Sequence, residues 1–273
     1  MKKNIFYAQS GGVTPVINAT AAGLIDYLEK NKSSFGKLFV GKNGIAGALN
    51  EELIDISKES SSELKKLIHT PGGAFGSCRI KLKDPVKNKK EFQRILEVFR
   101  AHNIGYFFYN GGGDSQDTTL KVSNYCKDQG YSITCIGLPK TIDNDLPDTD
   151  NCPGFASVAK YIAISTYEAS LDVASMANSS TKVFLLEVMG RHAGWLAASA
   201  GVIKESNSMP PHLILLPEIF FNEKKFLLKV KETVRKYGYC VVVASEGIKD
   251  KSNTFIAASS TRDSFGHAHL GGV

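Results

Sequence analysis

The sequence predicts an α/β fold built around a mostly parallel sheet. Short runs rich in β-branched and aromatic residues alternate, from one end of the chain to the other, with longer stretches whose apolar residues recur at helical spacing. This order is typical of βαβ units. The 273 residues suffice for one large α/β domain or two medium ones, and 42% hydrophobic with 22% charged residues indicates a chain that buries a sizeable core.

Strand and helix candidates follow one another in regular alternation. Predicted strands cover residues 4–9, 38–41, 106–110, 132–137, 182–188, 212–216 and 239–245. Predicted helices cover residues 16–28, 92–102, 155–171 and 226–237. The largest irregular stretch, 138–153, contains three prolines and four aspartates, so we place both a domain junction and a functional loop there. The predicted domains are residues 1–150 and 151–273.

Composition narrows the class of protein. The longest apolar stretches, 183–186 and 240–244, are far shorter than the roughly 20 residues of a membrane span. The five cysteines are scattered and form no Cys-x-x-Cys pair, so neither a disulfide framework nor a zinc site is indicated, and a reducing cytoplasm is expected. The net charge of +6 alone permits nucleic acid as a partner, although the basic residues form no stripe with aromatics and small anionic substrates fit as well. His267 and His269 form a His-x-His pair, a weak metal signal without further ligands.

Glycine-rich segments at strand ends are the first candidate sites, because ligands of doubly wound sheets collect beyond the carboxyl ends of the strands. Segment 9–15, Gln-Ser-Gly-Gly-Val-Thr-Pro, leads from a strand into a helix, where Gly11 and Gly12 would let backbone N–H groups approach a phosphate. The alternative is a tight turn with Thr14 as N-cap and Pro15 at the first helical position.

Two further glycine-rich segments carry polar side chains. Segment 71–79 closes with Arg79, which either reaches a phosphate or is a solvated loop arginine. Segment 111–118 begins with three glycines at the mouth of a strand, and Ser115 is predicted to cap the next helix while N–H groups face an anion. A pure capping role for Asp114 and Ser115 is the alternative.

Paired carboxylates follow in segment 139–145, Pro-Lys-Thr-Ile-Asp-Asn-Asp. In an extended chain Asp143 and Asp145 would point the same way, so that one could act as general base on a substrate hydroxyl while Lys140 balances transferring phosphates. The alternative is a cluster of Asx-turns. The segment is not an EF-hand calcium loop, because Asp148 stands where that loop requires glycine.

Polar residues also follow two later strands. Arg191, in segment 187–195, would open a helix, where the dipole disfavours a cation, so a bound anion is inferred beside it. His192 is interpreted as a structural residue of the same helix. Glu246 follows the strand at 239–245, where its carboxylate would hold the hydroxyls of a polar ligand or be merely solvated.

Taken in order, these motifs resemble those of the 6-phosphofructokinase family over nearly the whole chain. Pro-Lys-Thr-Ile-Asp-Asn-Asp at 139–145 and Met-Gly-Arg-His-Ala-Gly at 189–194 are highly specific to that family. Independent support comes from Gly-Gly-Gly-Asp-Ser, Pro217-Glu218, Ser-Glu-Gly and Phe265-Gly266-His267. The resemblance implies two doubly wound, mostly parallel-sheet domains, with the phosphoryl donor on 1–150, fructose 6-phosphate on 151–273, and Mg²⁺ as cofactor.

The resemblance also implies a role for each site residue. Phosphoryl transfer to the 1-hydroxyl of fructose 6-phosphate would use the catalytic residues Asp143 as base, Thr141, Lys140 and Asp114. Substrate-binding residues would be Thr141, Asp143, Met189, Gly190, Arg191 and Glu246. Donor-binding residues would be Gly11, Gly12, Arg79, Gly112, Gly113 and Ser115. Asp143 and Asp145 would approach the Mg²⁺, and Gly113 stands where many members have an Asp or Asn next to the ion.

Two positions indicate pyrophosphate as the donor. ATP-dependent members have glycine where this chain has Asp114 and usually where it has Lys140, whereas pyrophosphate-dependent members carry the Asp and Lys seen here. An aspartate there would repel and obstruct the α-phosphate of a nucleotide, and the lysine would supply charge to the leaving phosphate. The alternatives are an ATP-dependent phosphofructokinase and a non-catalytic regulatory subunit. A nicotinamide dehydrogenase is disfavoured because the dinucleotide fingerprint is absent.

Besides Gly113, the sequence departs from the family in two respects. Thr261 and Leu270 stand where ATP-dependent bacterial members have arginines that reach the neighbouring subunit's sugar phosphate. The chain stops at Val273, before family members end, so we expect a missing C-terminal part and weak or absent activity unless a partner supplies it. The resemblance further implies a glycolytic homo-oligomer, a dimer or tetramer, without nucleic-acid or membrane partners.

Overall fold

The chain forms two compact units, Met1–Lys140 and Thr141–Val273. A computed structural model describes residues 2–262 and 268–273, with the backbone alone for residues 259–262, 268 and 269. The boundary lies after Lys140 rather than after residue 150. The Lys140 N–H donates to the carbonyl of Gly111, 3.0 Å away, which closes the first unit, whereas Thr141 pairs with Gly154 and ties the following loop to the second.

The first unit contains a five-stranded sheet. Its elements in chain order are β1 Asn4–Gln9, α1 Pro15–Lys30, β2 Leu38–Gly41, α2 Ile45–Asn50, β3 Leu53–Asp55, α3 Ser61–Lys66, α4 Lys89–Ala101, β4 Ile104–Gly111, α5 Gly113–Asp128 and β5 Thr134–Pro139. The strand order is β3-β2-β1-β4-β5, and every neighbouring pair is parallel except β2 with β3. Single turns of 3-10 helix at Ile56–Lys58 and Leu67–His69 flank α3.

Alternating side chains of β1 build a core on each face of this sheet. On one face Phe6 packs against Phe99 of α4, with ring centroids 5.4 Å apart. On the other face Tyr7 packs with Ala21 and Ile25 of α1. Helices therefore cover both faces, and the prediction of a doubly wound parallel sheet is confirmed for this unit.

The second unit contains a smaller sheet. Its elements are α6 Phe155–Met176, β6 Val183–Val188, α7 Trp195–Ser199, β7 Leu213–Leu215, α8 Glu223–Tyr237, β8 Cys240–Ser245, β9 Ala258–Arg262 and β10 Ala268–Leu270. Strands β6, β8 and β7 form a parallel sheet in that order, with β8 in the middle and wholly buried, and β9 pairs with β10 antiparallel. Ile162 of α6 and Leu196 of α7 pack against Val243 of β8. The α/β class predicted from the alternation of elements is confirmed.

The predicted strands and helices all form, with ends that shift by a few residues. Apolar periodicity did not predict α5, although a helix was expected after the glycines at 111–113, and it did not predict the short elements α2, α3, α7, β3, β9 and β10. Apart from α5, which has 16 residues, each has six residues or fewer, which is too short for a pattern of apolar spacing to show in the sequence. Within residues 2–262 and 268–273, no helix is both long and apolar enough to cross a bilayer.

A half-buried histidine ties the start of β7 to β8. The Val241 N–H donates to Nδ1 of His212 over 3.0 Å, and the imidazole lies between the rings of Tyr237 and Tyr239, whose centroids are 5.4 Å and 5.0 Å away. Burial lowers the pKa of His212 below its ordinary value of 6.5, and the nearby Lys204 lowers it further. The folded chain therefore favours the neutral ring, in which Nδ1 is free to accept.

We expect this histidine to make the second unit acid-sensitive. Because the pKa of His212 is lower in the folded than in the unfolded state, the unfolded chain binds a proton more readily below pH 6.5. The free energy of unfolding should be fully retained above that pH and fall as the pH drops through it. In His212→Asn, whose side-chain oxygen can still accept from Val241, this part of the pH dependence should disappear. Urea titrations between pH 5 and 8 test this, with the exposed His69→Asn as matched control; an unchanged slope in His212→Asn would contradict the assignment.

Candidate functional site

The topology of the first unit creates a crevice at the carboxyl ends of β1 and β4. The chain leaves β1 to form β2 on one side and later returns to form β4 on the other, so the winding direction reverses between these strands. Ligands of doubly wound sheets bind at such a reversal. Gln9 pairs with Asn110 in register, so the glycine turns that follow the two strands begin at the same level.

The first glycine turn is held by the segment around Cys78. Ser10 forms a parallel bridge with Cys78, the Gly11 N–H donates to the Cys78 carbonyl over 3.1 Å, and the Ser77 hydroxyl donates to the Gly11 carbonyl over 2.8 Å. Gly11 has φ +78°, a conformation that favours glycine. As predicted, Thr14 is the N-cap of α1 and is followed by a proline, although its side chain makes no capping hydrogen bond.

Two cationic side chains flank this turn. The Arg79 guanidinium nitrogen lies 3.6 Å from the place that a Cβ on Gly12 would take, and the Lys140 amino nitrogen lies 3.7 Å from the corresponding place at Gly11. Lys140 is buried and donates to the carbonyl of Gly12. The structure thus brings together residues from three segments that the sequence singled out, and the two positive charges suit an anion.

The second glycine turn opens α5. Gly112 is the N-cap of this helix and Ser115 lies inside the first turn, so the prediction that Ser115 caps the helix is wrong. The reason is close packing: a Cβ on Gly111 would lie 2.2 Å from the Ser115 hydroxyl, which is buried against that glycine and cannot turn back to the helix end. Gly113 faces open space, with nothing within 4 Å of the place that a Cβ there would take.

Asp114, in the first turn of α5, forms an ion pair that the sequence did not indicate. Its Oδ1 lies 2.8 Å from the Lys81 amino nitrogen, and both side chains are partly exposed, 26% for the lysine and 38% for the aspartate. Lys81 follows Arg79 by two residues on the segment that Cys78 anchors to β1. Because lysine is frequent in this sequence, no signal singled out Lys81 before its position was known.

A buried polar network supports the crevice from below. The Tyr7 hydroxyl accepts hydrogen bonds from the amides of Gln9 and Asn110 and donates to the Ile17 carbonyl. Burial raises the pKa of Tyr7 to about 12, so the phenol stays protonated at neutral pH. The network therefore joins the ends of β1 and β4 to the first turn of α1.

Asn18 extends the support to the glycine-rich loop at 70–76. Its Nδ2 donates to the carbonyls of Thr70 and Gly72 over 2.8 Å and 3.0 Å, and its Oδ1 accepts from the Ala74 N–H over 2.8 Å. Asn18 is fully buried. A single side chain thus fixes the backbone of the loop that leads to Arg79, and sequence analysis missed it because an asparagine within a helix carries no distinctive pattern.

In the second unit, segment 141–145 is a turn rather than an extended strand. The Asp143 N–H donates to the Thr141 hydroxyl over 3.2 Å, and Asn144 has φ +55°, so the expectation that Asp143 and Asp145 point the same way along an extended chain is wrong. Asn144 is buried, and its amide bonds the Cys152 N–H over 2.8 Å and the Asp150 carbonyl over 3.2 Å. These bonds close the loop and fix the backbone beside Asp143.

The ends of β6 and β8 lie side by side, because Val188 pairs with Ser245 in register. The Glu246 N–H donates to the Val188 carbonyl over 2.8 Å, and the Ser245 hydroxyl donates to the carbonyl of Gly190. Gly190 has φ +124°, where a side chain would be strained and a Cβ would lie 2.5 Å from a backbone oxygen. Met189, Gly190 and Glu246 therefore lie close together.

Arg191 does not open a helix. It lies in a bend, and α7 begins four residues later with Gly194 as N-cap, so the argument from the helix dipole fails. His192 belongs to the same bend, not to a helix, and its ring lies 5.8 Å from that of Phe255. The first turn of α7 is instead bonded by Glu218, whose carboxylate accepts from the Gly194 N–H over 2.7 Å.

The described part of the chain holds no group of three or more His, Cys, Asp or Glu side chains arranged for a metal ion. Asp143 and Asp145 are separated by the Asn144 turn, and Asp145 is exposed. Such an arrangement suits Mg²⁺ only where a substrate's phosphate oxygens and water supply most of the ligands. The Phe265-Gly266-His267 motif and His267 of the His-x-His pair lie outside the described residues.

The fold and the cationic side chains at its first glycine turn define an α/β protein whose strand ends suit anionic ligands. The family model for phosphofructokinase matches residues 4–272, and the chain belongs to that family. The family resemblance inferred from the motifs is thereby confirmed.

Known relatives narrow the comparison. The chain is 58% identical to pyrophosphate–fructose 6-phosphate 1-phosphotransferase of Halomonas elongata, over 99% of this chain and 64% of the relative, and likewise 58% identical to the protein of that name from Xanthomonas campestris. Among solved structures, a pyrophosphate-dependent phosphofructokinase from Marinobacter aquaeolei is 64% identical and superposes with a TM-score of 0.85, over 91% of this chain and 62% of that one. The chain thus spans somewhat less than two thirds of the length of these relatives.

Gly247 leaves no room for a side chain. A Cβ there would lie 2.0 Å from the carbonyl oxygen of Arg191, which is backbone and cannot swing away. We expect Gly247→Ala to cost about 1–3 kcal/mol in the free energy of unfolding and to displace the Arg191 bend. The matched control is Gly23→Ala in α1, where nothing lies within 4 Å and stability should rise by about 0.5–1 kcal/mol. Denaturant titration measures both; equal effects would contradict the crowding.

Removal of the Asn18 side chain should loosen the loop at 70–76. Asn18→Ala leaves two carbonyls and one N–H without their partner, and we expect a loss of about 2–3 kcal/mol together with faster proteolysis within the loop. Asn124→Ala, on the exposed side of α5, should change neither. Limited proteolysis with mass mapping of the cleavage sites checks this, and cleavage elsewhere at an unchanged loop rate would count against the tether.

Proposed function

We propose that this chain carries the machinery for phosphoryl transfer from pyrophosphate to the 1-hydroxyl of fructose 6-phosphate, giving fructose 1,6-bisphosphate and phosphate. The observation that carries the proposal is the donor side of the first unit, where Lys140 and Arg79 flank the Gly11–Gly12 turn and Asp114 opens α5. The names of the Halomonas and Xanthomonas relatives, each 58% identical, support the same reaction. The chain spans 64% of the Halomonas relative, and we propose that the whole protein catalyses this reaction.

The first unit supplies the donor-binding residues in this proposal. The glycine turns carry no side chains and so let the pyrophosphate approach the backbone at the start of a helix. Arg79 and Lys140 carry the charges that match its oxygens. Lys140 is held at the turn by its hydrogen bond to the Gly12 carbonyl. We therefore propose that its positive charge stabilises the negative charge that develops on the leaving phosphate.

The second unit supplies the sugar-binding residues and the base. Asp143 accepts the proton of the 1-hydroxyl as that oxygen bonds to phosphorus and the bond to the leaving phosphate breaks. Thr141, which accepts from the Asp143 N–H, fixes the turn that presents this carboxylate. Met189, Gly190 and Arg191 at the end of β6, with Glu246 at the end of β8, hold the sugar phosphate, the arginine taking the phosphate and the glutamate a hydroxyl.

We propose that Mg²⁺ binds together with the pyrophosphate, and that Asp143 and Asp145 are the carboxylates available to the ion. The ion would neutralise phosphate charge during transfer. Gly113 contributes open space rather than a ligand. We further propose that the protein works in glycolysis in the cytoplasm as a homo-oligomer, in keeping with the family resemblance.

The decisive test is phosphorylation of fructose 6-phosphate with Mg²⁺, comparing pyrophosphate and ATP. We expect any turnover to require pyrophosphate, with none from ATP. Asp143→Asn should lower turnover by at least about 10²-fold because the general base is lost, whereas Asp148→Asn, at an exposed aspartate of the same loop, should retain most of it.

Two further substitutions test which donor the protein uses. Asp114→Gly with Lys140→Gly should lower use of pyrophosphate and admit ATP. Turnover of the parent with ATP alone would overturn the donor assignment. If neither donor is used, retained binding of fructose 6-phosphate in calorimetry would favour a regulatory subunit, and loss of that binding would contradict the assignment of the sugar site.

A further inference from the structure

Asp114 poses an electrostatic problem at the donor site. A carboxylate beside the donor repels the phosphates of ATP, but it repels pyrophosphate as well, since both donors are anions. Charge alone therefore cannot make this residue favour one donor over the other. The discrimination needs a carboxylate whose charge is compensated and whose position is fixed.

Lys81 meets both needs. Its amino nitrogen lies 2.8 Å from Oδ1 of Asp114, and at 26% exposure its side chain is largely covered. Its segment is anchored by the bridge between Cys78 and Ser10 and by the Gly11 N–H bond to Cys78. The lysine thus comes from backbone that is fixed to the end of β1, while the aspartate comes from the first turn of α5 after β4. The pair spans the two sides of the crevice.

We propose that Lys81 is a specificity-determining residue of the donor site. It holds the Asp114 carboxylate in place as a barrier to donors longer than pyrophosphate. Its positive charge also offsets the repulsion that Asp114 would exert on pyrophosphate itself. This inference rests on the proposed function, because it takes the crevice of the first unit as the donor site. Exclusion of a nucleotide then depends on where the carboxylate is held and not on the net charge of the pair.

The proposal predicts coupling between the two residues. In Lys81→Met, which keeps the aliphatic stem, the uncompensated Asp114 should weaken pyrophosphate binding on the order of tenfold, a change typical of residues in one ion pair. The loss should appear in KM, with kcat within about twofold, since Lys81 positions another residue and does not itself meet the reacting atoms. Lys81→Arg, which keeps the charge, should restore most of the affinity.

The test is a double-mutant cycle of Lys81→Met and Asp114→Gly, with dissociation constants for pyrophosphate and for ATP measured by calorimetry in Mg²⁺, alongside turnover. With Asp114 already removed, Lys81→Met should change the ratio of the two affinities by less than about twofold. The matched control is Lys83→Met, an exposed lysine two residues away, which should leave both constants unchanged. Melting temperatures of all variants establish that each is folded.

The outcomes separate the alternatives. An equal loss of pyrophosphate affinity with and without Asp114 would show that Lys81 contacts the donor directly and would overturn the proposal. No loss in either background would also overturn it, leaving a surface ion pair without consequence. If the parent binds ATP in preference to pyrophosphate, the proposed function fails, while an affinity ratio that depends on Lys81 only when Asp114 is present still supports the role of the pair. Failure to bind either donor would overturn both.

Discussion

The parallel pairing of β1 with β4 is the constraint on which the first unit depends. It aligns Gln9 with Asn110, and from these two residues the glycine turns depart at the same level. The amides of both residues bond the Tyr7 hydroxyl, so the strand ends are fixed by polar contacts as well as by the sheet. A slip of one residue in this register would turn the Gln9 amide away from the buried tyrosine and separate the two turns.

In the second unit, close packing of the backbone fixes the strand ends, as the polar network does in the first unit. A Cβ on Gly247 would lie 2.0 Å from the Arg191 carbonyl oxygen, so glycine lets the turn after β8 approach the bend after β6. A Cβ on Gly190 would lie 2.5 Å from the Ala193 carbonyl oxygen, so glycine also lets that bend close on itself. The close approach places Met189 and Arg191 next to Glu246. In both units the candidate residues thus lie at glycine turns where main-chain segments approach closely.

The sequence predicted the strands more accurately than the chemistry between them. β1 and β2 have the predicted bounds, because a buried parallel strand is a continuous apolar run with polar residues at its end. The same pattern placed the glycine turns, Lys140 and Glu246 just after the ends of strands. Three predictions of local conformation were wrong: Ser115 as a helix cap, Arg191 at a helix start, and Asp143 pointing the same way as Asp145. Packing against Gly111 keeps Ser115 from the cap position, whereas the other two depended on the positive φ angles of Gly190 and Asn144.

The sequence alone determined the α/β class, the order of the elements and the family, because apolar periodicity and contiguous motifs are properties of neighbouring residues. Only the tertiary structure decided that Lys81 pairs with Asp114 and that Asn18 carries the loop leading to Arg79. It also placed the boundary of the units after Lys140, where a hydrogen bond to Gly111 closes the first of them. These contacts join segments far apart in the chain, and which lysine or asparagine makes them depends on the paths of the loops, which no local pattern in the sequence specifies.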